Sequence, residues 1–263
     1  MESLQINIKL EQVSNKFLLH LKKIAGNVTL TYNAIKSEKF DPNLPLPTDS
    51  LPLNIDDNKK QPTFDEQKDQ AIKWLFQKAF EELIIGLTTS LIEAYRYLKL
   101  YELASQDTHS RSKDQLENEM EKIEKKAHKL HFPALIKEIE GTLGQSLLLR
   151  DEILSINQVR NCLVHRNGIV HQNDLKDDNG EGLTLKWNSP EFYTWKKNGE
   201  RVKLDYKTRE KEINTNKLES FLTGKQKTFK LNDQLLIDID HFNDISYTCA
   251  IFVTKLNDVL PRP

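Results

Sequence analysis

The chain has 263 residues, 38% hydrophobic and 29% charged, which predicts a soluble globular protein with one large domain or two small ones. Its 38 basic and 39 acidic residues give a net charge of −1, so any surface for nucleic acid or membrane must be local. We see no secretory signal, no apolar stretch of the roughly 20 residues that a membrane helix needs, and no ligand-like cluster around the two cysteines. We therefore expect a cytoplasmic protein with no membrane partner, no metal site and no cofactor.

The N-terminal part divides into a helix, a proline-rich segment and a second helix. Apolar residues recur every three or four positions from Leu10 to Lys36, which predicts a helix in segment 1–40. Prolines in residues 41–63 prevent helix formation, so we expect an ordered loop or a flexible linker there. Thr63 and Glu66 have capping-box spacing and predict the start of a long core helix that continues to about residue 98.

Three more helices are predicted in the middle of the chain. Residues 113–130 have a thin apolar stripe among charges of alternating sign, which is typical of a solvated outer helix. A short helix follows at 133–141, and a further helix covers 145–165. Asn167 and Gly168 then provide a C-terminal stop.

A small β region precedes the last predicted helix, which covers 238–260. Turn signals such as Asn188-Ser189-Pro190 separate short alternating segments, which predict antiparallel strands. These segments are 183–187, 191–195, 200–204 and 228–231. The expected fold is mainly α and forms a single domain. A helical bundle of residues 64–168 and 238–260 is interrupted by a β-rich insertion at 169–237.

Polar and apolar side chains alternate around the helix that ends at His165. At 100° per residue, one stripe would face the core, formed by Ile156, Val159, Cys162 and Leu163. Arg160, Asn161 and His165 lie on a second face. That face also includes three apolar residues, Ile153, Leu154 and Val164. Such a mixed face indicates coverage by another helix or by a second copy of the chain.

The residue types of this second face suit chemistry on a phosphate. Histidine exchanges protons near neutral pH, and the C-terminal end of a helix favours its protonated form. Arginine matches phosphate geometry with a fork of donors, and asparagine can orient a ligand or the histidine through its amide. Basic groups without a carboxylate cluster suit metal-independent RNA cleavage, in which the ribose 2′-hydroxyl attacks the neighbouring phosphate.

The segment Arg160-Asn161-Cys162-Leu163-Val164-His165 resembles the R-x4-6-H motif of HEPN domains, including the polar residue directly after the arginine. HEPN proteins are helical bundles that commonly dimerise with their motif helices facing each other. Many are metal-independent ribonucleases of toxin–antitoxin, abortive-infection and other defence systems. The resemblance implies a HEPN-like bundle in which Arg160 and His165 are catalytic and Asn161 supports them. It covers residues 64–168 and 238–260, but not the N-terminal helix, the proline-rich segment or the insertion.

The insertion offers a second, weaker set of candidates. Twelve basic and six acidic residues lie between Lys186 and Lys230, with aromatic residues among them, as in single-stranded RNA-binding surfaces. The alternative is a small sheet whose aromatic residues form their own core and whose lysines are solvated. The candidate substrate contacts in the insertion are Trp195, Lys196 and Lys197. Arg166 and His171, directly after the motif, are further candidates, and the alternative is that both are ordinary turn residues. Glu82 and Glu93 on the long helix are candidates for an acidic partner of the motif, although such residues are more often solvated.

Two functions remain open from the sequence. The first is a metal-independent endoribonuclease of a toxin or antiviral defence system, which would act as a homodimer through the motif helix and be controlled by an antitoxin or another defence partner. The second is a non-catalytic HEPN-like module that binds nucleotide, RNA or a protein partner. The intact Arg160, Asn161 and His165 favour the first. A metal-dependent hydrolase is less consistent with the sequence, because the chain contains no cluster of metal ligands.

Overall fold

The computed structural model describes residues 10–37, 63–105, 112–175, 180–195, 201–204 and 218–262. These residues form six α-helices: α1 (Glu11–Lys36), α2 (Phe64–Ser105), α3 (Lys113–Lys129), α4 (Phe132–Leu143), α5 (Arg150–His165) and α6 (Ile239–Val259). Three strands lie between α5 and α6: β1 (Gly182–Trp195), β2 (Arg201–Leu204) and β3 (Leu218–Lys230). The protein is therefore mainly helical with a small antiparallel sheet before its last helix, as predicted.

Helix α2 is the central element of the bundle. Phe80, Leu83, Leu87 and Leu91 are fully buried and contact the surrounding helices. The predicted capping box starts this helix, because Thr63 and Glu66 exchange hydrogen bonds of 2.6 Å and 3.3 Å. The helix continues beyond the predicted end to Ser105, and the proline-rich segment before it lies outside the described residues.

Helix α1 packs tightly against α2 at Gly86. A β-carbon at this position would lie 2.8 Å from Cδ2 of His20 and 3.0 Å from Cδ2 of Phe17. Phe17 is almost completely buried, so its ring has little freedom to move away. The absence of a side chain at Gly86 therefore sets the distance between the two helices.

Helix α5 begins five residues later than predicted. Gly144 ends α4 in the left-handed region, at φ +68°, and Leu149 has φ +62°. The Glu140 carboxylate accepts a 2.9 Å hydrogen bond from the Leu147 backbone N–H and a 3.1 Å bond from Nε of Arg150. These bonds fix residues 145–149 as a turn, so a helix beginning at Gln145 was the wrong prediction.

The predicted stop after α5 is confirmed. Asn167 and Gly168 have φ values of +52° and +73°, and the Gly168 N–H donates to the Cys162 carbonyl at 3.1 Å. A β-carbon on Gly168 would lie only 2.7 Å from Nε2 of Gln234. That amide donates to the carbonyls of residues 167 and 168, so the end of α5 is attached to the segment before α6.

The sheet has the order β2-β1-β3, with both pairs antiparallel. The predicted turn at residues 188–190 is wrong, because β1 continues through it and pairs with β3 from Gly182 to Thr194. β2 pairs only with residues 192–195. Successive residues of a strand direct their backbone groups to opposite sides, so residues 188 and 190 share a side. The Asn188 N–H points to the side without a strand, and the nitrogen of Pro190 therefore lies on that side as well. A missing N–H is tolerated there.

Side-chain hydroxyls of two helices occupy this strand-free side of β1. Ser155 of α5 accepts from the Lys186 N–H at 2.8 Å and lies 3.2 Å from the Lys186 carbonyl. Thr248 of α6 accepts from the Asn188 N–H at 2.9 Å and lies 3.1 Å from the Asn188 carbonyl. These hydroxyls replace the hydrogen bonds of a missing strand and join the sheet to the bundle.

Strand β3 is much longer than the predicted segment 228–231. Residues 219–226 are all exposed, so they have no alternation between buried and solvated positions. Their strand conformation comes from pairing with β1, which their own pattern does not indicate. The other end of the sheet packs against the main core through four buried side chains, Leu183, Leu185, Trp187 and Phe229.

Candidate functional site

The predicted core stripe of α5 is confirmed, since Ile156, Val159, Cys162 and Leu163 are all buried. Arg160 and Asn161 are half-buried on a different side of the helix, and His165 is exposed at its last position. The apolar residues of the predicted second face differ in burial. Ile153 is completely buried in the main core, whereas Leu154 and Val164 are only half-buried.

Arg160 and Asn161 contact each other directly. Nη1 of Arg160 donates to Oδ1 of Asn161 at 3.0 Å, which holds the guanidinium against the helix surface. Nε of Arg160 is buried, and no described residue accepts a hydrogen bond from it. This nitrogen is therefore an unused donor at the motif, and Asn161 also lines a neighbouring pocket.

This pocket has a volume of about 330 Å³ and lies at the C-terminal end of α5. Every residue that lines it is polar or charged: Gln158, Asn161, His165, Arg166, Asn173 and Asp174. Within the described ranges, no hydrogen bond fixes the His165 ring. The imidazole is thus free to turn toward a ligand in the pocket and to exchange a proton with it.

An acidic residue of α2 lies close to the motif, and the sequence pattern did not single it out. The Glu81 carboxylate accepts a 2.7 Å hydrogen bond from Lys78, which lowers the pKa of Glu81 below its ordinary value. The nearby positive charges of Arg160 and His165 lower this pKa further, while desolvation opposes them. Glu81 is therefore a negative group within electrostatic range of the two motif residues, without a direct ion pair to either.

The glutamates proposed from the sequence lie elsewhere. Glu82 is 3.3 Å from Nε2 of His20, on the side of α2 that meets α1. Glu93 contacts Lys16 at 2.9 Å and Arg96 at 3.1 Å. Neither carboxylate faces the motif, so both suggestions are wrong. The correct helix was identified, but its rotation about the axis depends on packing between distant segments.

Two of the candidate substrate contacts, Arg166 and His171, take part in structural hydrogen bonds. Nε of Arg166 donates to Asp174 at 2.7 Å, and its Nη2 contacts the other oxygen of the same carboxylate. Asp174 is almost fully buried and also accepts a 3.0 Å bond from the His171 N–H. The short 3₁₀ turn Gln172–Asp174 is closed by a 2.9 Å bond from the Asp174 N–H to the His171 carbonyl. Arg166 and His171 therefore stabilise the wall of the pocket.

Trp195 is far from the motif. α5 meets β1 where Ser155 contacts Lys186, and Trp195 lies nine positions further along that strand, about 30 Å away. From Ser155, α5 runs toward His165 in the opposite direction, because Glu152 contacts Asn188. The predicted contacts Lys196 and Lys197 lie outside the described residues.

Aromatic residues of the insertion form a cluster of their own at this distal end. The guanidinium of Arg201 lies 4.0 Å from the ring centre of Tyr193 and 4.5 Å from that of Phe221. The two rings are 5.7 Å apart and nearly perpendicular. These contacts agree with the alternative of a small sheet that packs its own aromatic residues.

The described residues hold no group of three or more His, Cys, Asp or Glu side chains placed to bind a metal ion. No helix among them has both the length and the apolar character to cross a membrane. Both cysteines are buried and free, and burial raises the pKa of the Cys162 thiol to about 11. Cysteine therefore contributes no reactive group to the motif.

Comparisons with protein-family models, curated proteins and solved structures found no match to this chain. The functional argument therefore depends on the geometry around α5.

Proposed function

We propose that the protein is a metal-independent endoribonuclease that acts in the cytoplasm as part of a toxin or antiviral defence system. Two observations support this proposal: Asn161 and His165 line one polar pocket, and Arg160 is hydrogen-bonded to Asn161. The guanidinium is oriented by a 3.0 Å bond to Asn161, and the imidazole is exposed at the pocket. Together they provide a phosphate-binding group and a proton-transfer group on consecutive turns of one helix.

In the proposed reaction, the ribose 2′-oxygen attacks the neighbouring phosphorus atom. One His165 removes the 2′-hydroxyl proton as the new P–O bond forms, and the bond from phosphorus to the 5′-oxygen breaks. A general acid protonates the departing 5′-oxygen, and we assign this role to His165 of a second copy of the chain. Arg160 stabilises the charge that develops on the phosphate oxygens. The products are a 2′,3′-cyclic phosphate and a 5′-hydroxyl.

A homodimer through the motif helix is part of the proposal. Trp74 and Ile85 lie on the same face of α2 as Glu81, seven residues before it and four residues after it. Their side chains are 59% and 47% exposed, so this face of α2 presents large apolar groups that a second copy could cover. Trp74→Lys should shift sedimentation from dimer to monomer. A wild-type protein that sediments as a monomer at micromolar concentration would contradict the composite site.

The direct test is RNA cleavage in excess EDTA. Purified wild type is incubated with mixed single-stranded RNA and transfer RNA beside His165→Ala and Arg160→Ala. His128→Ala is the matched control, since His128 is an exposed histidine on α3. We expect cleavage by wild type and the control, and at least a hundredfold loss in the two motif variants. Circular dichroism of every variant verifies that the fold is retained.

The other outcomes discriminate between the two functions. Equal cleavage by all four proteins would mean contamination or a different site and would refute the assignment. Inactivity of the folded wild type, together with saturable RNA binding, would favour the non-catalytic module. A defence partner would be identified by co-purification with the full chain and by its inhibition of wild-type cleavage.

A further inference from the structure

We propose that β3 pairs with β3 of another copy of the chain, antiparallel and about a twofold axis at Leu222. The strand order β2-β1-β3 makes β3 an edge of the sheet. Phe221 and Leu222 are 46% and 47% exposed on this edge, so large apolar side chains are left without cover. This surface adds to the interface at the motif helix and does not depend on nuclease activity.

Every second residue of β3 points its backbone groups away from β1. The N–H groups of Lys186 and Asn188 donate to hydroxyls on the other side of β1, so even-numbered residues of β1 face away from β3. The register pairs even-numbered residues with even-numbered residues, so those of β3 face away from β1 in the same manner. Lys230 agrees with this assignment, because its N–H donates to the Asp233 side chain beyond the strand.

The outward groups are free over one continuous stretch. Among the described residues, none forms a hydrogen bond to them between positions 218 and 226. At Lys227 the segment after the strand meets β3, where the lysine donates to the Leu236 carbonyl at 3.4 Å. A twofold axis at Leu222 places residue 218 opposite residue 226 and uses this stretch from end to end. The two copies of Leu222 would then exchange both of their backbone hydrogen bonds.

This register also places opposite charges together. Glu219 lies opposite Lys225 of the other copy, and the symmetry gives two such pairs. Within one chain, Glu219 is 3.8 Å from Arg201 and 45% exposed. Lys225 is 3.7 Å from Asp244 and 44% exposed, so both charges have room for a closer partner. A strand of another protein would meet Lys225 without this glutamate, so charge favours a second copy.

The two association surfaces lie far apart. The paired stretch of β3 lies along the part of β1 that runs toward Trp195, away from the motif. Residues 218–226 supply far fewer contacts than the roughly 20–30 residues a side of a stable interface. The β3 contact is therefore weak, and sedimentation at micromolar concentration reports the motif-helix dimer alone. At higher concentration, β3 pairing links such dimers into larger assemblies.

Cysteine cross-linking tests the position of the axis. In Leu222→Cys the two Cα atoms would lie about 5.5 Å apart in a hydrogen-bonded pair, within the range that a disulfide spans. Thr223→Cys is the matched control, because its two copies would be diagonal neighbours about 7–8 Å apart. The native Cys162 and Cys249 are buried, so the unmodified chain should not cross-link. Both variants carry Trp74→Lys, which removes the motif-helix dimer.

The readout is the rate of disulfide dimer formation under mild oxidation at submillimolar protein concentration. Leu222→Cys should cross-link at least about tenfold faster than Thr223→Cys. Adding Glu219→Lys should slow the reaction at least about threefold, and adding Lys225→Glu as well should restore it. Equal rates for the two cysteine variants, a faster reaction of Thr223→Cys, or no restoration by the charge exchange would overturn the inference. Circular dichroism verifies that each variant is folded.

Discussion

Replacing Thr248 with valine removes one hydroxyl from α6 and keeps the size and shape of the side chain. That hydroxyl accepts a 2.9 Å hydrogen bond from the Asn188 N–H, and both residues are buried. Valine would leave this peptide group without a partner, which costs about 1–3 kcal/mol of unfolding free energy. Unfolding entropy scales with chain length, so for 263 residues the expected fall in Tm is about 2–6 °C.

The control is Thr254→Val on the same helix. The Thr254 hydroxyl is exposed and donates only to the Ala250 carbonyl, within α6. Its removal should change stability by less than about 0.5 kcal/mol. Urea denaturation followed by circular dichroism measures both variants, and calorimetry gives their Tm values. Equal stability of the two variants would refute the view that Thr248 replaces a strand partner of β1.

Three further outcomes follow from the packing and burial of single residues. Gly86→Ala should lower the free energy of unfolding by up to about 2 kcal/mol, because the cost of overpacking against α1 exceeds the gain in helix propensity. Gly26→Ala meets open space and should stabilise the protein. Urea denaturation should therefore show shifts of the midpoint in opposite directions for the two variants. Arg166→Gln should lower the free energy of unfolding by about 3 kcal/mol, because the buried Asp174 carboxylate would lose its positively charged partner. A loss below about 1 kcal/mol in the same assay would contradict a structural role for Arg166. Burial raises the pKa of the Cys162 thiol from about 9 in the unfolded chain to about 11. The stability that depends on this thiol being neutral is therefore complete below pH 9 and is lost as the pH rises toward 11. At pH 8, iodoacetamide should therefore label it about a hundredfold more slowly than an unfolded cysteine, and labelling of the folded protein at the unfolded rate would refute this.

Features determined by neighbouring residues could be predicted from the sequence. The capping box of Thr63 and Glu66 and the stop at Asn167-Gly168 depend on groups within a few residues, and both are confirmed. The hydrophobic repeat likewise predicted the buried stripe of α5, because a helix repeats every 3.6 residues whatever it packs against.

Features determined by distant residues could not be predicted in this way. Asn188-Ser189-Pro190 has the composition of a turn, but Thr248, sixty positions later, supplies the hydrogen bonds that keep Asn188 in a strand. The Glu81 carboxylate was missed because its proximity to Arg160 depends on how α2 and α5 pack. The start of α5 was wrong for a similar reason, since the Glu140 carboxylate holds the preceding turn.

The sheet of the insertion is closed along one side and open along the other. The hydroxyls of Ser155 and Thr248 occupy the free side of β1, and β2 offers only four residues on its outer side. β3 instead has thirteen residues, and those from 219 to 226 are exposed. The lysines of β3 lie at positions 225, 227 and 230, in its C-terminal half. Lysines on an edge strand disfavour pairing with a further strand, so only that half of β3 is protected in this way. Among the described residues of the sheet, another strand could therefore pair without opposing lysines at residues 219–224.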